Sequence, residues 1–233
     1  MNEQNLQQET VDNKSLSIAF GESLPKDVID AASEFVEIGL DSIMDNELLK
    51  KIPFVSTIVA TYHIGKGIRE RHYIAKLASF LDEINKGIAD DKKRQGYCEK
   101  FKNNQNFRNK ELEYILILID QYISFDKPKI LAKLYLAYLE STLTWFEFTK
   151  YAEIIDHLIS GDLQCLNEEL LTSITNNSSL IDSVLRLLAT GLVSQNVSIR
   201  TEYDSKKANL SINDPVGYLI TPLGKKLTTI IIN

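Results

Sequence analysis

Ile52 to Ile64 is a run of thirteen residues without formal charge when His63 is neutral, and it leads through Gly65 and Gly67 into a cationic cluster, Lys66, Arg69 and Arg71. A bilayer-spanning helix takes roughly 20 apolar residues, so a run of this length is either a buried core helix or an interfacial segment. The chain must bury it or present it to an apolar phase. In the first reading Ile52, Val55, Ile58, Val59, Tyr62 and Ile68 are core, with Lys66, Arg69 and Arg71 at the rim. In the second, Ile52, Phe54, Val55, Ile58, Val59, Tyr62, Ile64 and Ile68 enter a membrane interface. Lys66, Arg69 and Arg71 then meet anionic headgroups at about 1 kcal/mol each, and several copies assemble to breach the bilayer.

The rest of the chain fits a helical protein. Its 233 residues lie between one large domain and two small ones, and with 44% hydrophobic residues, ten Gly and five Pro it has ordinary globular composition with few helix breakers. Cys98 and Cys165 show neither disulfide nor metal spacing, which suits a reduced cytoplasm. The first twenty residues carry acids and amides where a signal peptide needs a basic region and an apolar block, so export by that route is not expected. Charge is segregated: residues 1–50 hold 3 basic and 11 acidic side chains, residues 51–110 hold 13 and 6. The basic middle therefore faces either the acidic amino-terminal part or an anionic partner.

Residues 1–24 read as a flexible tail in which only Leu16, Ile18 and Phe20 could dock. A helical bundle domain is expected over 25–161. Its first helix carries Val28, Ala32, Phe35, Val36, Leu40, Ile43 and Met44 at helical spacing and would cover the central stretch. The apolar stripe from Ile68 to Ile84 predicts a helix ending near Gly87, and residues 87–110 read as a short helix and a connecting loop with a solvated charged face. Tyr114 to Ile119 is apolar almost all round, which predicts burial on every side. Pro128 opens the next helix, and Thr144 with Glu147 has the spacing of a capping box.

A smaller domain is expected over 162–233: a short helix around Leu166 to Ile174, a turn at Asn176 and Asn177, and a second helix from Ser178 or Ser179 with Leu180, Ile181, Val184, Leu185, Leu187 and Leu188 inward. Gly191 stops it. Alternation at Val197, Ile199, Thr201 and Tyr203 predicts a strand that returns at Leu210 and Ile212, and Thr221-Pro222 starts the last helix. This order, with Leu187-Leu-Ala-Thr-Gly-Leu-Val193 and Thr221-Pro-Leu-Gly-Lys-Lys-Leu227, resembles a winged helix-turn-helix module with a small β-hairpin wing.

No phosphate-cradling loop, dinucleotide fingerprint or nucleophile elbow is present, and no metal or cofactor is expected. His63, His72 and His157 are too scattered for coordination; Glu153 and His157 stand one helical turn apart without a matching pair. The expectation is a protein that is not an enzyme. In a winged helix the outward side of the second helix meets DNA or protein; here it offers Ser179, Asp182, Ser183, Arg186 and Thr190, and the wing offers Lys206 and Lys207. That is a thin basic surface for the phosphate contacts that dominate DNA affinity. Docking of a protein or dimerisation is the first expectation and DNA reading the second.

The layout as a whole, a helical part with an apolar glycine-marked segment and then a wing, together with Gly191-Leu-Val193 and Thr221-Pro-Leu-Gly224, resembles bacterial proteins of the abortive-infection alpha family. The basic 87–110 stretch and the acidic tail depart from that family. The resemblance implies a bacterial antiviral protein that harms or halts the phage-infected cell without catalysis. It would sense an infection-derived protein in the cytoplasm, form a homo-oligomer and act at the inner membrane. A winged-helix transcriptional regulator is the alternative.

Overall fold

A computed structural model describes residues 16–25, 52–62, 64, 67–159, 161–166, 180–196 and 217–232. The expected helix over 28–44, Lys66, the 166–174 helix beyond Leu166, Ser179, the strands at 197–203 and 210–212, and Lys206 and Lys207 lie outside them. The protein is mostly helical, and the chain forms two compact units, Met1–Ala152 and Glu153–Asn233.

In the first unit, residues 16–22 form a helix (α1), followed by α2 (Pro53–Thr61), α3 (Ile68–Gly87), α4 (Asp91–Asn103), α5 (Gln105–Gln121), α6 (Asp126–Leu139) and α7 (Trp145–His157), within which the division between the units falls. The principal packing is α3 on α6. At one end of this contact a Cβ on Gly87 would stand 2.3 Å from Leu136 Cδ1, so a larger residue there would require the leucine side chain to shift. Pro53 opens α2 at a position where its missing donor does no harm. At the head of α7, Thr144 and Glu147 make the predicted capping box: Glu147 N–H donates to Thr144 Oγ1 at 3.2 Å and Thr144 N–H to Glu147 Oε2 at 2.8 Å.

Two expectations are corrected here. Residues 16–24, read as part of a flexible tail, are core: Leu16, Phe20 and Leu24 are fully buried. The Phe20 ring lies 4.7 Å from that of Phe101, 5.0 Å from Phe54, 6.2 Å from Tyr135 and 6.4 Å from Phe80. The polar residues around it complete the attachment. Ser17 donates its amide to Asn109 Oδ1 (2.9 Å) and its hydroxyl to the Phe101 carbonyl (2.6 Å), and Ser23 Oγ accepts the Phe54 amide (2.8 Å). Arg94, itself buried, donates to the carbonyls of Leu24, Asn85 and Ile88.

The second correction concerns residues 87–110, which hold no long loop. Asp90 caps α4 by accepting the Lys93 amide at 2.7 Å, and Arg94, Tyr97 and Phe101 form its buried stripe. Arg94 is charged, so no apolar periodicity marks that stripe in the sequence. The α5 helix is also less enclosed than expected, because Ile117 stands exposed.

The second unit contains a 3₁₀ turn (Asp162–Cys165), α8 (Ile181–Ala189), β1 (Val193–Asn196), β2 (Gly217–Ile220) and α9 (Pro222–Ile232). The strands pair antiparallel, Val193 opposite Ile220 and Asn196 opposite Gly217. These four-residue strands lie outside the span, 197–212, in which alternation predicts strands. Gly191, at φ 75°, ends α8 with the Leu192 amide bonded back to the Leu187 carbonyl, a turn that glycine adopts without strain. Thr221 then caps α9 as predicted, accepting the Gly224 amide at 3.1 Å while its hydroxyl donates to the Gly191 carbonyl at 2.7 Å. Gly224 allows the approach of α9 to β1, since a Cβ there would meet the Leu192 carbonyl oxygen at 2.3 Å.

Because Phe20 joins four rings from α2, α3, α4 and α6, Phe20→Ala is expected to destabilise the first unit by about 3–5 kcal/mol. Urea unfolding of the full chain measures this, and an unchanged midpoint would show that residues 16–24 are not an integral part of the core.

Candidate interaction surfaces

The residues proposed to touch lipid divide into two groups. Ile52, Phe54, Val55 and Ile58 are fully buried, with Phe54 edge-on to Phe20. Val59 and Ile64 are half-buried, whereas Tyr62 and Ile68 are exposed, Ile68 to 72%. The amino-terminal end of α3 lies along the α5–α6 connection. Arg69 Nη2 meets Asp120 Oδ2 at 2.7 Å, the His72 ring stacks on Phe125 at 5.0 Å, and Lys76 donates to the carbonyls of Asp120 and Tyr122 that α5 leaves at its end. Burial lowers the Lys76 ammonium below its ordinary value, with Asp120 opposing that effect. Tyr73 lies in the same neighbourhood: burial pushes its hydroxyl well up, and Asp120 and Tyr62 add to the shift. Arg71 is half-buried. Ile123, which sequence reasoning did not single out, stands in this connection at 90% exposure. Only its position after the helix, where no periodicity places it inside, could have flagged it.

In the second unit the α8 residues proposed for partner or DNA contact divide as well. Asp182 is exposed. Arg186, by contrast, grips a buried carboxylate, with Nε 2.8 Å from Asp162 Oδ2 and Nη2 2.8 Å from Asp162 Oδ1. Its charge is therefore paired in a bidentate fork rather than offered to phosphate. Asp162 Oδ2 also accepts the Ile159 amide at 2.8 Å. Burial alone would raise the Asp162 carboxyl, but the hydrogen bonds from Arg186, the Ile159 amide and Ser183 outweigh it and hold the group below its ordinary value. Val184 and Leu187 are the buried side of α8, as predicted, whereas Ile181 and Leu185, expected inward, are 42% and 54% exposed. The buried side is therefore narrow, centred on Val184 and Leu187, and Ile181 and Leu185 lie at its far edge, about 60° and 100° around the helix from Val184 at 100° per residue.

Back in the first unit, Glu111 is a carboxylate enclosed to 2% exposure that sequence reading did not place in the core. It accepts from Arg108 Nη1 (2.6 Å), Tyr135 (3.2 Å) and Tyr138. Burial and then the bond to Glu111 push the Tyr138 hydroxyl up to about 12, and burial drives Tyr135 well above its usual value. Both phenols are thus held as donors. The cluster is an internal clamp rather than an acid–base pair, since every partner points a hydrogen at one carboxylate. An open cleft of about 510 Å³ lies nearby, lined by residues that include Lys93, Tyr97, Lys100, Glu140 and Thr142, with Lys93 Nζ paired to Glu140 at 2.9 Å. Among the described residues, no group of three or more His, Cys, Asp and Glu side chains is placed to hold a metal, and no helix is long and apolar enough to cross a membrane.

The depressed Asp162 carboxyl makes a pH-dependent contribution with a definite sign. On acidification the unfolded chain takes up its proton first, near 3.8, so the contribution is present above that value and lost as pH falls through the lower, folded one. Asp162→Asn is therefore expected to lower stability at neutral pH, with the gap to the parent closing in acid; thermal melts across a pH series would refute this if the gap stayed constant. No protein-family model matches the chain, and neither does any curated protein or solved structure.

Proposed function

We propose that the protein acts by docking rather than by catalysis, as a bacterial phage-defence protein of the abortive-infection type. It recognises an infection-derived protein in the cytoplasm through its C-terminal unit, assembles with further copies of itself and acts at the inner membrane. The observation that carries this reading is the outer side of α8, where Ile181 and Leu185 are exposed while the helix's one cation, Arg186, is tied to Asp162. Apolar side chains beside a neutralised arginine suit a protein partner, because DNA binding draws most of its affinity from unpaired cations on phosphate. The order α8, β1, β2, α9 supports a winged-helix reading of this unit, with Lys206 and Lys207 in the segment that would form the wing.

Bacteria expressing the chain and challenged with phage are expected to show fewer plaques and a collapse of membrane potential. Leu185→Glu is expected to abolish both while leaving the melting temperature unchanged, since the side chain is exposed. Protection by the variant equal to that of the parent, or no protection by the parent, would overturn the reading. The transcriptional-regulator alternative predicts a sequence-selective gel shift at physiological salt that weakens with Lys206→Ala. Arg186→Ala does not serve that purpose, because it removes the Asp162 anchor and so perturbs folding. Docking through protein predicts no selective shift.

A further inference from the structure

Two residues of the first unit sit where their own local structure favours a different residue, and both line the open cleft beside the Lys93–Glu140 pair. Gly96 lies in the middle of α4, although glycine is the poorest helix former after proline. No close approach requires it there, since a Cβ would have nothing within 4 Å. Ser141 stands just past the end of α6 at φ 64°, in the left-handed region that glycine adopts freely. The helix closes with the Ser141 amide bonded to the Tyr138 carbonyl at 2.9 Å and the Thr142 amide to the Ala137 carbonyl at 2.8 Å, a turn that commonly carries glycine at this position. The first departure leaves the cleft without a side chain at position 96. The second adds a hydroxyl to the residues that line it.

The charged groups of the lining set the kind of occupant. Lys93 and Lys100 stand two turns apart on the same side of α4, and Glu140 is the one carboxylate among the lining residues. Lys93 pairs with Glu140 at 2.9 Å. Lys100 is exposed, its ammonium 5.4 Å from the centre of the Tyr97 ring, and it makes no ion pair among the described residues. We infer that this cleft binds a small phosphorylated molecule, whose phosphate meets Lys100, Lys93 and the hydroxyls of Ser141 and Thr142 while Glu140 accepts hydroxyl groups of its organic part. Phosphate suits this set better than carboxylate, because its three terminal oxygens can serve two ammonium groups and two hydroxyls together. The ion pair is no obstacle: with side chains 50% and 40% exposed it is worth little in water, so Lys93 turns to the phosphate at small cost. The volume of about 510 Å³ is more than a phosphate alone fills and falls in the range of small-molecule sites.

This binding is independent of docking through α8, which is tested by Leu185→Glu in infected cells. Its own test titrates the isotope-labelled full chain with glycerol phosphate, inorganic phosphate and glycerol in separate arms at constant ionic strength, following backbone amide resonances. The parent is expected to show saturable shifts at Gly96, Ser141 and Thr142 with both phosphates and none with glycerol, and Lys100→Ala to weaken binding about tenfold. Gly96→Leu and Ser141→Gly give each position a residue that its backbone favours, so both are expected to raise the melting temperature while weakening binding at least severalfold. The inference is overturned if the parent shows no saturable shift at these amides with either phosphate, if glycerol binds as well as glycerol phosphate, or if Gly96→Leu and Ser141→Gly bind as the parent does.

Discussion

The helical unit closes around one ring. Phe20 is held by aromatic side chains from α2, α3, α4 and α6, so a short amino-terminal helix organises the meeting point of elements far apart in sequence. Removing it would leave a cavity that four helices could fill only by moving, and close-packed interiors resist such movement. The hydrogen bonds of Ser17 and Ser23 and the reach of Arg94 to Leu24 follow from this placement. Once Phe20 is inside, the backbone on either side of it is inside too, and its polar groups need partners.

That dependence explains which parts of the fold could be read from sequence. Elements with their own local signals were legible: the capping box at Thr144, the start of α9 at Thr221-Pro222, and the ends of α3 at Gly87 and of α8 at Gly191. Those signals act through bonds only three or four residues long. Core positions filled by charged or isolated residues were not legible. Arg94 and Glu111 look solvated in any window of sequence, and their burial is understandable only once distant carbonyls and phenols supply the partners. Phe20 sits among serines and amides, where composition suggests a tail.

The same distinction runs through the candidate surfaces. The central apolar stretch was visible, and so was its ambiguity between core and interface, but not the point within it where one gives way to the other. The change falls between Ile58, fully buried, and Tyr62, exposed. On α8 the helix could be predicted but not its orientation, because apolar residues outnumber the positions that a short helix can bury. The pairing of Arg186 with Asp162 draws the helix's cation back toward the 3₁₀ turn and leaves Ile181 and Leu185 outermost.

These placements bear on how a membrane could be reached. Moving Ile52, Phe54, Val55 and Ile58 from the core into lipid exchanges one apolar surrounding for another, but it first opens the cluster that Phe20 centres. Each of those side chains contributes about 1.5–3 kcal/mol by its burial. Four together approach the roughly 5–15 kcal/mol that holds a whole domain folded. Release of the segment would therefore amount to unfolding the unit, unless lipid repaid the loss at the same moment.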